Sequence, residues 1–330
     1  MKNSTTARGW LLSSDPADTV IHFASMEFPN FDPNIFSIGK FAIRWYSLMY
    51  VLGFATAWFL LTRRAGRTDQ AQSFVSWKRE DIEDLIFFAA LGVIIGGRVG
   101  YVFFYGFDRF LENPLYLFKI YEGGMSFHGG LLGVILGMGY FAKSRGRHWM
   151  DVTDFLAPAG PLGLFFGRIG NFINGELWGK PTDIPWGFVV DGVKRHPSQL
   201  YEAILEGLVL FFILWFYSKS TRPRMVVSGL FLMGYGTFRF LVELIRLPDA
   251  DKGYILFDWV TMGQILSTPM IVIGLALVVL GYRNNVVGGA VNLPGVSSSG
   301  NKNSGGGTAK VGNTGGKSTK RKASKGKKRK

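Results

Sequence analysis

The sequence predicts an all-α integral membrane protein, a bundle of seven transmembrane helices with its N-terminus outside and its C-terminus inside. Three observations carry that expectation. Hydrophobic residues make up 48% and aromatic residues 15% of the chain, and the mean hydropathy is positive, +0.18, in spite of a long polar tail. Seven stretches approach the ~20 apolar residues that cross a bilayer core. Lys and Arg gather in alternate loops, and that asymmetry sets orientation.

Taken in order, the first span covers about 41–61 and has Arg44, Trp45 and Tyr46 near its outer end. The loop after it is rich in cations: Arg63, Arg64, Arg67, Lys78 and Arg79. The second span, 85–105, contains Gly92, Gly96 and Gly100 at intervals of four, with Arg98 past its middle. Only Arg109 and Lys119 follow it. The third span, 125–142, opens on "GGMSFHGG" with His128 near its outer end, repeats the glycine interval at Gly129, Gly133 and Gly137, and leads into Lys143, Arg145 and Arg147. The fourth, 152–169, ends in Arg168 and has Gly163 and Gly167; like the fifth, 201–217, it is marginal in length. Small residues every four positions let helices approach closely, so all of these glycines are assigned to packing. Lys219, Arg222 and Arg224 follow the fifth span; the sixth covers 226–245 and the seventh 260–281. Residues 284–330 are rich in Gly, Ser, Asn and Lys, and 301–330 alone hold 11 Lys and Arg of a formal +14. Such a segment cannot bury enough apolar surface to fold, and beside a membrane its charge suits anionic headgroups.

Five spans place polar groups toward the outer face. A charge inside a bilayer is costly unless it faces protein, pairs or binds a ligand. In "GYGTFRFLVELIR", Tyr235, Arg239, Glu243 and Arg246 fall at spacings of 4, 4 and 3 and share one helix face. Arg239 lies about 9 Å from the outer helix end at 1.5 Å per residue. The planar guanidinium matches phosphate oxygens two at a time. Arg168 and Arg239 at headgroup depth thus suit a phospholipid phosphate, and His128 has the chemistry of a base near neutral pH. Asn171 and Asn174 in "GRIGNFINGELWGKP" add donors and acceptors at the end of the fourth span. The chain has no cysteine, which excludes disulfides and a cysteine nucleophile of its own. Its first residues lack the apolar core of a signal peptide, so the first span is expected to be an uncleaved anchor. At this point a lipid-handling enzyme and a transporter or channel for an anionic lipid or solute both remain open. The shallow depth of the charges and the lack of an internal repeat favour the enzyme.

"GRIGNFINGELWG" resembles the signature of the phosphatidylglycerol–prolipoprotein diacylglyceryl transferases of bacterial inner membranes. "RWYSLMYVLGF", "GGRVGYVFFYGF", "GGMSFHGGLLGV", "RHPSQLYEA", "SGLFLMGYGTFRFLVELIR" and "MGQILS" resemble that family's other blocks in the same order. The similarity spans about 28–283, leaving 1–27 as an N-terminal extension, with Met26 an alternative start, and 284–330 as a disordered basic cytoplasmic tail. The resemblance implies transfer of the diacylglyceryl group of phosphatidylglycerol to the lipobox cysteine thiol in a prolipoprotein signal peptide, forming a thioether and releasing sn-glycerol 1-phosphate. It implies a multi-pass inner-membrane protein with a small periplasmic cap, no metal or organic cofactor, contacts with membrane lipids and no nucleic-acid partner. The family's functional positions map onto His128, Arg239 and Tyr46 as catalytic residues. Arg168, Asn171, Glu176, Gly179, Tyr235, Glu243 and Arg246 map as phosphatidylglycerol-binding residues. In this reading Arg168 and Arg239 clamp the phosphate, Glu243 orients Arg239, and His128, or alternatively Tyr46, takes the thiol proton. The short segment 182–194 implies that the cap is reduced.

Overall fold

A computed structural model describes residues 26–29, 31–38, 41–65, 77–248 and 253–286. The basic tail and nearly all of the N-terminal extension lie outside these residues. Helices dominate: α1 (Trp45–Ala65), α2 (Arg79–Tyr105), α3 (Phe127–Ser144), α4 (Trp149–Leu156), α5 (Gly160–Ile173), α6 (Ser198–Tyr217), α7 (Val226–Glu243) and α8 (Met262–Asn284). Five of them, α1, α2, α6, α7 and α8, are long and apolar enough to cross a membrane. The chain is thus an integral membrane protein.

The two other expected spans differ for physical reasons. Helix α3 has the length, but its glycines, His128 and Lys143 dilute its hydropathy. The fourth expected span is broken at Ala157–Ala159 into α4 and α5. Pro158 lacks the amide that an uninterrupted helix would need there, and Pro161 instead starts α5, a position that tolerates proline. The first span is shortened at its start, because Phe41–Arg44 is a strand rather than helix.

Glycine sets the closest helix contact. A Cβ on Gly92 or Gly96 would overlap the backbone of Gly133 or Gly129 across the α2–α3 seam, and one on Gly100 would lie 2.8 Å from Gly129 Cα. Only glycine allows that approach. Gly163 and Gly167 do not repeat the pattern: nothing lies within 4 Å of a Cβ built on either, although the Gly163 Cα lies 3.4 Å from a Cβ built on Gly53 of α1, so no close approach requires a glycine at either position of α5.

The main apolar core lies where α1 and α3 end and α2 and α4 begin. Trp77 stacks on Phe155 at 4.0 Å and on Phe141 at 5.9 Å, among Leu61, Ile82, Leu85 and Val152. Polar clamps surround it. Asp151 takes Arg224 Nε at 2.6 Å and Nη2 at 2.9 Å. Asp154 accepts Met225 N and Ser228 N, both at 2.7 Å. It thereby caps the start of α7, where Met225 is left-handed (φ 78°) and supplies no side-chain cap of its own.

At the opposite helix ends, three strands form a small sheet: β1 (Met26–Glu27) runs parallel to β4 (Phe188–Val190), which pairs antiparallel with β5 (Val193–Arg195). A separate hairpin, β2 (Asn34–Ile38) and β3 (Phe41–Arg44), leads into α1. Phe28, Phe172, Trp178 and Phe188 pack together with ring centroids 5.0–5.9 Å apart, edge to face except for the tilted Trp178–Phe188 pair, and seat the sheet on the end of α5.

Candidate active site

The end of α5, the start of α6, the end of α7 and the start of α8 bring together three arginines and three carboxylates. From α5, Arg168 Nε lies 3.1 Å from Glu202 Oε2, out of line for a hydrogen bond, and Arg168 Nη2 lies 3.4 Å from Glu206 Oε2. Arg239 of α7 pairs with both Glu202 and Glu243. Arg246, just past α7, donates from Nη1 to Glu202 Oε1 at 3.2 Å and lies 3.9 Å from Glu243. The pattern read on one face of α7 is therefore one wall of a charge cluster whose centre, Glu202, comes from α6. Tyr235 faces Arg168 from α7.

Helix α8 completes the cluster. Its capping residue Thr261 donates to Glu243 Oε2 at 2.7 Å, and a Cβ on Gly263 would strike the same carboxylate. Glu243 thus sits against a helix N-terminus, where the backbone dipole favours negative charge.

Exposure within the cluster decides what an incoming ligand meets first. Glu202 and Glu206 are fully buried, whereas the side chains of Arg168 and Arg239 are 17% and 14% exposed. Arg246, at 8%, lies deeper. An anion entering the cluster meets Arg168 and Arg239, with Arg246 behind them.

Asn171 and Glu176 do not join this cluster. Asn171 Nδ2 donates to Glu176 Oε1 at 2.7 Å, and Asn174 does so at 3.4 Å. These bonds fix the turn through Gly175 and Leu177, both with positive φ. Ser198 Oγ donates to Leu177 O at 2.6 Å and Gln199 to Glu176 O, which ties the turn to the start of α6. Gly179 N donates to His196 O at 2.8 Å and Lys180 N to Ile245 O at 2.8 Å, and Gly179 forms an antiparallel bridge with Arg246. A Cβ on Gly179 would come within 2.6 Å of His196 Cβ and 2.8 Å of Ile245 O. This glycine lets the α5–α6 loop dock against the backbone that holds Arg246. Tyr46, in the first turn of α1, packs its ring against Gly170, between Arg168 and Asn171.

His128 stands apart from these residues. It lies exposed in the first turn of α3, with the Phe127 ring edge-on at 5.6 Å, and among the described residues it is not one of the groups paired with Arg168, Arg239 or Arg246. The imidazole in contact with the Gly179 loop is His196, whose Nδ1 lies 3.3 Å from the Tyr201 hydroxyl. Burial pushes it below the ordinary histidine range. Arg98 belongs to neither group. It is buried, and its guanidinium donates to the carbonyls of Leu117 (3.1 Å), Gly123 (2.6 Å), Gly124 and Tyr116, pinning the segment between α2 and α3.

Glu202 and Glu206 were not singled out as site residues from the sequence. Their signal was present: two carboxylates four apart in "QLYEAILEGL" share one face of an apolar helix. The same helices also form an apolar groove lined by Tyr201, Ile204, Leu205, Leu241, Val242 and Ile245.

The model of the prolipoprotein diacylglyceryl transferase family matches residues 33–280. Among curated relatives, the phosphatidylglycerol–prolipoprotein diacylglyceryl transferase of Vibrio cholerae serotype O1 is 56% identical over 265 residues, covering 79% of this chain and 95% of the relative. The Methylococcus capsulatus protein of the same name is 53% identical over 260 residues, with 78% and 98% covered. That of Ectopseudomonas mendocina is 50% identical over 269 residues, with 80% and 99% covered.

Proposed function

This chain belongs to the prolipoprotein diacylglyceryl transferase family, and we propose that its arginine–carboxylate cluster holds the headgroup phosphate of phosphatidylglycerol while the diacylglyceryl group moves to a prolipoprotein. The protein is a transferase of lipoprotein maturation. Its acceptor is the thiol of the lipobox cysteine, and the reaction lies in the inner membrane, with seven crossings in which α3 and the broken α4–α5 unit add to the five apolar helices. The N-terminus is outside, the C-terminus is inside and the three-stranded sheet is the periplasmic cap.

The observation that carries this reading is the convergence of Arg168, Arg239 and Arg246, with the first two the most accessible. The thiolate sulfur attacks the glyceryl carbon that bears the phosphate, the C–O bond breaks, and sn-glycerol 1-phosphate leaves as the thioether forms. Negative charge grows on the departing phosphate, and fixed guanidinium donors that tighten on it lower the barrier. Glu202 and Glu243 hold Arg239 in place from two sides, which limits its reorganisation during the step. A thiol reacts as thiolate, so its proton must go to a base. His128 fills that role from the start of α3 with the acceptor peptide bound beside it, and Tyr46, against Gly170, is the alternative base.

Purified protein incubated with phosphatidylglycerol and a lipobox peptide distinguishes the transferase from a carrier of anionic lipid. Glycerol phosphate release is expected, strongly reduced in His128→Gln and Arg239→Ala. Near-normal turnover in both variants would remove the role assignment, and lipid movement without release would favour the carrier.

A further inference from the structure

Glu206 is the cluster member whose geometry is not explained by holding arginines for the headgroup. It is fully buried, its Oε2 reaches only Arg168 at 3.4 Å, and among the described residues its Oε1 has no hydrogen-bond partner. Glu202 instead meets three arginines, and Glu243 meets two arginines and Thr261.

The local backbone supports this distinction. Glu206 lies on a seven-residue π-helical stretch, Ala203–Val209, a widened turn of the kind that re-aims side chains at functional sites. Its neighbour Gly207 is where α5 comes closest: a Cβ there would lie 2.7 Å from Phe165 Cβ and 3.0 Å from Phe165 Cα. That approach sets Arg168, one turn further along α5, against Glu206. Arg168 from α5, Glu202 on its own helix, Tyr235 and Glu243 from α7, and Arg246 beyond it face Glu206.

Charge then decides its behaviour. Among the described residues the cluster sets Arg168, Arg239 and Arg246 against Glu202, Glu206 and Glu243, three charges of each sign. A phosphodiester adds one negative charge, and an unbalanced charge in a buried site is costly. Protonating the carboxylate with the fewest partners restores balance at the smallest loss of contacts.

We propose that Glu206 is a positioning residue for Arg168: ionised, it holds the guanidinium in the empty site, and it takes one proton from solvent as a headgroup phosphate enters and claims Arg168. The proton returns to solvent when the phosphate leaves, so no net proton is consumed at this carboxylate. The proposal rests on the headgroup reading of the cluster.

The test measures kcat and KM for phosphatidylglycerol in detergent micelles with a saturating lipobox peptide, over about pH 6–9, for the wild type, Glu206→Gln and Glu206→Asp. Because binding takes up one proton, the wild-type KM is expected to rise toward tenfold per pH unit at the alkaline end, by about 1 in log KM. Glu206→Gln, always neutral, flattens that rise, while the pH profile of its kcat follows the wild type. Glu206→Asp, which can still be protonated, restores the slope. A Gln variant with the wild-type KM slope overturns the proposal. So does a wild-type KM that does not change with pH, whatever the fold of the variants. If Arg168→Ala and Arg239→Ala also keep near-normal KM and kcat, the headgroup reading itself fails. If those two lose activity while KM is flat with pH, only the role of Glu206 is lost.

Discussion

At Arg98 the guanidinium spends its donors on four backbone carbonyls, whereas Arg168 meets side chains that a ligand can displace, the carboxylates of Glu202 and Glu206 and the ring side chain of Tyr235. The two should respond differently to the same change. Arg98→Lys removes the planar fork that spans residues 116–124, and it is expected to lower the melting temperature in detergent while kcat/KM at low temperature falls less than about tenfold. Arg168→Lys is expected to retain the melting temperature and to lose at least about tenfold in kcat/KM. Gly179→Ala places a methyl group 2.6 Å from His196 Cβ, so it should displace the loop bridged to Arg246 and cut turnover more than it cuts stability. The sequence placed both Arg98 and Arg168 in apolar spans and could not separate them. The acceptors of Arg98 are main-chain carbonyls about 20 residues away, and no side-chain letter marks them.

Between elements, the α2–α3 seam was legible because both helices repeat glycine every fourth residue and each repeat faces the other. Gly163 and Gly167 share the interval but face open space, since an interval alone does not say which face of a helix meets a neighbour. Gly133→Ala is expected to cost about 1–3 kcal/mol through overpacking, and Gly163→Ala to stay within about 0.5 kcal/mol, both read from unfolding in detergent. The break between α4 and α5 was hidden by the apolar run around it, although Pro158 and Pro161 signal it. Asp154, on the first half, then caps α7; Asp154→Ala should cost about 1–2 kcal/mol by leaving two N–H groups without an acceptor.

Across the whole molecule, basic loops and membrane-length helices were readable from composition, and the family motifs named Arg168, Arg239, Glu243 and Arg246 of the charge cluster. What they did not give was its centre. Arg239 and Glu243 read as a pair on one helix face, yet each also binds groups from other helices, and Glu202 links all three arginines. Such a hub depends on how α5, α6 and α7 meet, which spacing along one helix cannot reveal. A fluorescent protein fused to the C-terminus is expected to mature in the cytoplasm, and a periplasmic reporter placed in the turn between β4 and β5 to be active, as the proposed orientation requires. The most direct test of the cluster as the headgroup site is kcat/KM for phosphatidylglycerol, followed as glycerol phosphate release, in folded Arg239→Ala. A fall of at least about 100-fold, ~2.7 kcal/mol, is expected if Arg239 stabilises the departing phosphate, and a value within about threefold of wild type would contradict it.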